Sequence, residues 1–253
     1  MLSFLDTFGI HRGDVVSVVG SGGKATLMYH LAAEGLGRGD TVMTTSSTHL
    51  HPPTSRQSNG MLVTAEDPDW SARLRERLTR EPHLTIVGDR VRPDKMRGLD
   101  FGALDTLRAV CPAALLLIKA DGARTRPFKA PGADEPVVPV WTTHCVIVVG
   151  LHSVGLPLDE RFVHRPERVT ALTGLRPGQP LTCEVIGRVV SHPQAYARKI
   201  PVATKTILYL GWCGDAHRRR LAEEICRSAD PVIVPHVLCG NIEGERGSLA
   251  VLR

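Results

Sequence analysis

The sequence predicts an α/β fold: a mostly parallel sheet with helices on both faces and a small helical appendage. Short aliphatic runs alternate with stretches of helical period along most of the chain. The runs are continuously apolar, as in strands buried on both faces. The alternation breaks once, in a Pro-rich, charged stretch from 156 to 200.

The elements follow in order. Asp14 to Val19 reads as a first strand, β-branched in nearly every position. Lys24 to Glu34 reads as a helix with Leu27, Met28, Leu31 and Ala32 on one face, and Gly35 and Gly37 supply stop signals. Thr41 to Thr45 is a second strand. Asp67-Pro68 starts a helix, a cap residue followed by proline at the first helical position, and Trp70, Leu74 and Leu78 make its apolar stripe. Leu84 to Val87 is a strand, Gly102 to Val110 a helix, and Ala114 to Ile118 and Cys145 to Val149 are buried strands. After the appendage, Thr206 to Leu210 is a strand and Asp215 caps a helix. The buried stripe of that helix is Leu221, Ala222, Ile225, Cys226 and Ala229, and Pro231 to Pro235 is a late strand. The expected organisation is a nucleotide-binding core over 1–155, a mostly helical appendage over 156–200, and a C-terminal strand–helix–strand over 201–253 that completes the core.

A chain of 253 residues suits one large α/β unit, and 42% hydrophobic content supports a core built mostly from Leu, Val, Ile and Ala, because aromatics are only 4%. The net charge of +5 fits an anionic ligand. The basic residues are scattered and no aromatics interleave with them to stack bases, so nucleic acid is not an expected partner. The six cysteines form no CxxC pair and no zinc spacing, which points to buried thiols in a reducing cytoplasm. Met1 to Gly13 carries Asp6 and lacks a long apolar segment, so no signal peptide is expected. No apolar run approaches the roughly 20 residues a membrane helix needs, so no membrane association is expected.

The chemistry concentrates in Gly20-Ser21-Gly22-Gly23-Lys24-Ala25-Thr26, directly after the first strand and opening the first helix. A helix N-terminus presents unpaired N–H groups and a partial positive charge. Glycines let the backbone wrap a phosphate, and Lys24 adds a charge for the outer phosphates. The loop is a phosphate cradle of P-loop NTPase-like type for ATP or GTP. It is a shorter-spaced form, GxGGK, of the common GxxxxGK[ST] pattern. Ala25 stands where a hydroxyl normally reaches Mg²⁺, and Thr26, one residue further round the helix, is a poor substitute. The expected Mg²⁺ site is therefore weakened.

An ordered series of motifs resembles the YqeC family. It comprises Gly20 to Thr26, Thr44-Thr45-Ser46-Ser47-Thr48-His49, Ala120-Asp121-Gly122-Ala123-Arg124, Arg126-Pro127-Phe128-Lys129-Ala130-Pro131, Glu135-Pro136-Val137-Val138-Pro139 and Val163-His164-Arg165-Pro166-Glu167. The segment from Ala120 to Pro139 is the most specific. The resemblance implies a nucleotide-binding accessory protein for making or inserting the selenium-containing molybdenum cofactor of molybdenum hydroxylases. It implies a molybdopterin-type cofactor and such a hydroxylase as partners, and NTP hydrolysis as a candidate activity. Three positions depart from the family pattern. Ala25 replaces a hydroxyl residue, Lys119 stands where the family usually has Glu, and Gly211-Trp212-Cys213-Gly214-Asp215 stands where it tends to have an Asn-Lys strand end.

Asp121 follows a buried strand, where open α/β sheets bind ligands. With Lys24 it is the candidate catalytic residue, and with Thr26 the candidate metal ligand; Asp121-Gly122 also fits a plain turn. Arg124, Arg126 and Lys129 are placed to gather an anion, or they form a solvated loop. Thr45 and His49 end the second strand, where they would contact phosphate or make a polar turn. His164 and Arg165 either cap a helix or close over a ligand. Alternatives to the enzyme reading are a nucleotide- or cofactor-binding scaffold without turnover, and an NTPase metallochaperone.

Overall fold

A computed structural model describes residues 3–243 and 246–253. Helix α1 (Phe4–Phe8) leads into β1 (Val15–Gly20) and α2 (Lys24–Gly37). Next come β2 (Val42–Ser46), β3 (His49–Leu50), β4 (Gly60–Val63), α3 (Trp70–Arg80) and β5 (His83–Val87). They are followed by β6 (Arg90–Arg92), β7 (Lys95–Arg97), α4 (Phe101–Val110), β8 (Leu115–Lys119), β9 (Phe128–Lys129) and β10 (His144–Gly150). The chain continues through β11 (Val163–His164), α5 (Pro166–Thr173), α6 (Cys183–Val190), β12 (Lys205–Gly211), α7 (Ala216–Ser228), β13 (His236–Glu243) and β14 (Arg246–Val251).

Nine strands make one sheet in the order β14-β13-β12-β10-β1-β8-β2-β5-β4. Its pairs are parallel except β13–β14, which is antiparallel. From β1 the chain moves to one side of the sheet, through β2, β4 and β5, and returns as β8. It then crosses to the other side through β10, β12 and β13. This reversal of direction beside β1 is where open α/β sheets form a ligand crevice.

Both faces are buried, and the alternation is visible residue by residue. Val15, Val19, Leu116, Ile118, Cys145, Ile147, Leu208 and Leu210 join one core cluster with Leu74, Leu78, Leu104, Leu107, Ala222 and Ile225 of α3, α4 and α7. Val16, Val18, Leu115, Leu117, Val146, Val148 and Ile207 join the other, with Phe4, Leu5 and Phe8 of α1 and Leu27, Met28 and Leu31 of α2. Each fully buried aliphatic side chain of this kind contributes roughly 1.5–3 kcal/mol. Val169 of α5 and Ile186 and Val189 of α6 belong to the first cluster.

Several elements differ from expectation. Pro231 to Pro235 is not a strand: residues 231–233 form a turn, Val232 is exposed, and the strand begins at His236. Two prolines in that stretch lack the N–H a ladder needs. The third helix starts at Trp70, with Asp69 rather than Asp67 at the cap. Asp67 instead takes the Asp69 amide on Oδ1 at 3.1 Å and the Trp70 amide on its carbonyl at 3.1 Å, making a turn before the helix. Helix α2 runs through Gly35 to Gly37. A Cβ at Gly35 would lie 3.1 Å from Val42 and 3.2 Å from Leu115, so this glycine serves close helix–sheet packing rather than termination.

Candidate functional site

The C-terminal tips of β1, β8, β2, β10 and β12 lie along one edge of the parallel sheet, and the glycine loop is set there by contacts of its own backbone. The Ser21 amide donates to the Val148 carbonyl at 2.8 Å, and the Gly20 amide donates to Asp121 Oδ2 at 2.9 Å. Gly20 has φ +96°, and a Cβ there would meet the Val148 carbonyl oxygen at 2.2 Å. Only glycine permits that approach. Gly23 caps α2 with φ 130° and no side-chain bond. The amides of Gly22, Gly23, Lys24, Ala25 and Thr26 find no hydrogen-bond partner among the described residues. They are the free donors of a helix N-terminus.

Lys24 is turned into this loop. Its Nζ donates to the Gly20 carbonyl and lies 3.0 Å from Asp121 Oδ1, with side chains 6% and 0% exposed. Asp121 Oδ2 also accepts from Lys129 Nζ at 2.9 Å. Lys129 is fully buried and donates further to the Gly122 carbonyl and to Glu135 Oε2, each at 2.6 Å. Glu135 Oε2 accepts from Arg165 Nη1 at 2.6 Å. Lys119 Nζ donates to the carbonyls of His49 at 2.7 Å and Asp121 at 2.9 Å. Four basic groups thus face two carboxylates, an electrostatic surplus suited to an anion.

The titrations reflect this crowding. Burial, and next the Lys24 charge, pull the Lys119 ammonium down to about 7. Burial likewise lowers Lys24, although Asp121 opposes it. Burial pushes the Asp121 carboxyl up, but the charges of Lys24 and Lys129 and the bonds from Lys129 and the Gly20 amide outweigh it and hold it below its usual value. Asp121 Oδ1, buried, faces Lys24 yet receives no hydrogen bond.

The structure therefore brings Gly20, Ser21, Gly22, Gly23, Lys24, Asp121, Lys129 and Arg165 into one connected group. Lys119 and Glu135 complete it. Glu135 is the residue that sequence reasoning missed, although it opens one of the quoted motifs. Other candidates lie further from this chemistry. Thr45 is buried, and its hydroxyl donates to the Ile86 carbonyl at 2.6 Å. His49 takes part through its carbonyl, while its ring is exposed and lowered in pKa by burial and by Lys95 and Arg97. His164 is held neutral, at about 4, by burial and the charges of Arg165 and Lys129. Arg124 is exposed in a left-handed backbone, Arg126 is half-buried, and neither forms an ion pair among the described residues. Ala25 is half-buried and Thr26 exposed.

These residues do not make a Mg²⁺ ligand set. Ala25 has no oxygen to offer, and Thr26 points to solvent. Both Asp121 oxygens face cations or an amide. Among the described residues no group of three His, Cys, Asp or Glu side chains could hold a metal ion.

A parallel sheet whose first strand runs through a glycine-rich loop into a helix N-terminus defines an α/β protein of P-loop NTPase-like fold. A family model described as YqeC protein matches residues 16–167. The chain is also 28% identical over 232 residues to "Uncharacterized protein YqeC" of Escherichia coli (strain K12), covering 92% of this chain and 89% of that protein. The chain belongs to the YqeC family. No described helix is long and apolar enough to cross a membrane.

Proposed function

We propose that this protein is a nucleotide-binding accessory protein for the biosynthesis or insertion of the selenium-containing molybdenum cofactor of molybdenum hydroxylases. It holds ATP or GTP by the phosphates at Gly20 to Thr26. The observation that carries the binding half is the row of unpaired amides from Gly22 to Thr26 beside the buried ammonium of Lys24. Phosphate oxygens match both in charge and in hydrogen-bonding need. The pathway half rests on membership of the YqeC family and on the motif resemblance that runs along the chain. A molybdopterin-type cofactor and a molybdenum hydroxylase are the partners this reading implies, in the cytoplasm.

A scaffold that binds without turnover is the second reading. It is favoured by Ala25 and by Lys119, whose ammonium lies beside Asp121 at the phosphate edge. On either reading the lysines supply the counter-charge that a divalent cation otherwise provides.

Calorimetric titration of ATP and GTP into the protein and into Lys24→Ala tests the binding half. Saturable binding that weakens at least tenfold in the variant is expected. No binding of either nucleotide to the wild type overturns it. The pathway half is tested by deleting the gene and assaying a selenium-dependent molybdenum hydroxylase in the same cells. Unchanged hydroxylase activity in the deletion strain contradicts it.

A further inference from the structure

Trp212 follows the last residue of β12 and stands beside the glycine loop. Its indole Nε1 donates to the Gly22 carbonyl at 3.2 Å. Its ring meets His152 edge-on, with centroids 5.1 Å apart and planes at 69°. Its own carbonyl accepts from Arg218 Nη1 at 3.2 Å, and the next amide, that of Cys213, donates to the Gly240 carbonyl at 2.9 Å. The backbone is left-handed, φ +67°, a conformation that bulky residues rarely adopt. Even so, half of the side chain is exposed, at 51%. A large aromatic held in a strained backbone by fixed bonds, without being buried, is not placed there for core packing. Such strain persists where the surroundings impose it, and it clusters at ligand sites.

The ring that meets Trp212 is itself fixed against the loop. His152 Nδ1 is buried against the Gly150 backbone, and its Cε1 would lie 3.3 Å from a Cβ at Gly22, so the imidazole is wedged between the loop and the tip of β10. Burial, and then the Arg218 charge, keep the imidazole in its neutral form, which presents one donor and one acceptor nitrogen. The loop and Trp212 therefore offer a phosphate cradle and, beside it, a flat π surface half exposed to solvent, with His152 against the indole edge and Arg218 on the Trp212 carbonyl.

We infer that Trp212 is the stacking platform for a planar fused nitrogen heterocycle carried on a phosphate chain, with the Gly22 carbonyl and His152 fixing the indole plane. The inference rests on the phosphate-loop reading and adds the ring-binding half of the site. A purine nucleotide and a pterin phosphate both have this chemistry. Stacking tolerates different bases, because every base has a π face, so an exposed indole beside the loop suits either ring system.

The test is binding of ATP, GTP, molybdopterin and inorganic tripolyphosphate to the wild type, Trp212→Ala and Trp212→Phe, each checked for unchanged thermal unfolding. Trp212→Ala is expected to lose about tenfold or more in affinity for ATP and GTP, while tripolyphosphate affinity stays within about twofold. Trp212→Phe should recover most of the loss. Ring ligands should also quench wild-type tryptophan fluorescence more than tripolyphosphate does. A larger loss for molybdopterin, which carries a pterin and a phosphate but no base, than for ATP and GTP assigns the platform to the pterin; the reverse assigns it to the purine. Equal affinity of wild type and Trp212→Ala for every ring ligand overturns the inference and leaves the phosphate reading standing. Failure of tripolyphosphate and nucleotides alike to bind the wild type removes the phosphate reading and this inference with it.

Discussion

Lys24 Nζ lies 3.0 Å from Asp121 Oδ1, both side chains out of solvent, so the lysine of the phosphate loop is neutralised from within the protein. Under the proposed function, a phosphate at the loop would compete with that carboxylate for the lysine. Lys129 bonds Asp121 Oδ2 and links that carboxylate to Glu135 and, through it, to Arg165.

Asp121→Asn should therefore destabilise the protein strongly. It leaves Lys24 and Lys129 buried without their shared counter-charge, a loss of about 3–5 kcal/mol. Thermal unfolding should show Tm lower by on the order of 10 °C. Tripolyphosphate should raise Tm more in the variant than in the wild type, since it replaces the missing charge. A Tm equal to wild type would mean that Asp121 does not hold the two lysines.

The low value of Lys119 predicts a pH-dependent stability and, for the proposed phosphate binding, an uptake of protons. Its folded value, about 7, is below its ordinary 10.5, so between those values the unfolded chain binds more protons. The contribution of Lys119 to stability therefore improves as pH rises through that window. Lys119→Met should be more stable than wild type near pH 7, with the advantage shrinking towards pH 10. A bound phosphate favours the charged ammonium, so binding at pH 8 should take up protons. Calorimetry in two buffers of different ionisation enthalpy reads that uptake, and identical heats in both would contradict it.

Glu34 secures the first helix rather than the site. Its carboxylate accepts from the amides of Phe4 at 3.0 Å and Leu5 at 2.9 Å and from Ser3 Oγ at 2.9 Å. Burial alone would raise its pKa, but His30 Nε2, 3.4 Å away, and the bonds from Leu5, Phe4 and Ser3 bring it from 4.5 to about 2. Sited at a helix start, the charge is worth about 3 kcal/mol, present above pH 4.5 and lost as pH falls through 2. Glu34→Gln should cost about that much at pH 7 and almost nothing near pH 2. Denaturant titrations at the two pH values measure the difference, and a pH-independent cost would refute this account of Glu34.

Restoring hydroxyl and carboxylate should restore metal handling. The double change Ala25→Thr with Lys119→Glu places an oxygen on the helix and reverses the charge at the tip of β8. Mg²⁺-dependent phosphate release from ATP or GTP should rise above that of the wild type. Equal turnover in the two proteins would show that these two positions do not limit hydrolysis.

Much of the sheet was legible because strands such as Leu115 to Ile118 are apolar in every position, and Val15 to Val19 in all but Ser17, as in a sheet covered on both faces. The edge strands were not. The run Arg246 to Val251 carries no continuous apolar signal, and Gly60 to Val63 is too short to stand out. The loop was readable from its glycines and Lys24. The buried ion network was not, because nothing in the sequence shows that Lys129, 8 residues from Asp121 and grouped with Arg124 and Arg126 as an anion-gathering cation, folds back onto that carboxylate. Trp212 carries no local pattern, and its meaning comes from the distant Gly22 and His152.

The central claim is that lysines, rather than a divalent cation, hold the phosphates. The most direct measurement is the affinity for ATP and GTP in EDTA against the affinity in excess Mg²⁺. The account predicts binding in EDTA that is at least as tight as with Mg²⁺ and is lost in Lys24→Ala. Binding that appears only when Mg²⁺ is present would contradict it.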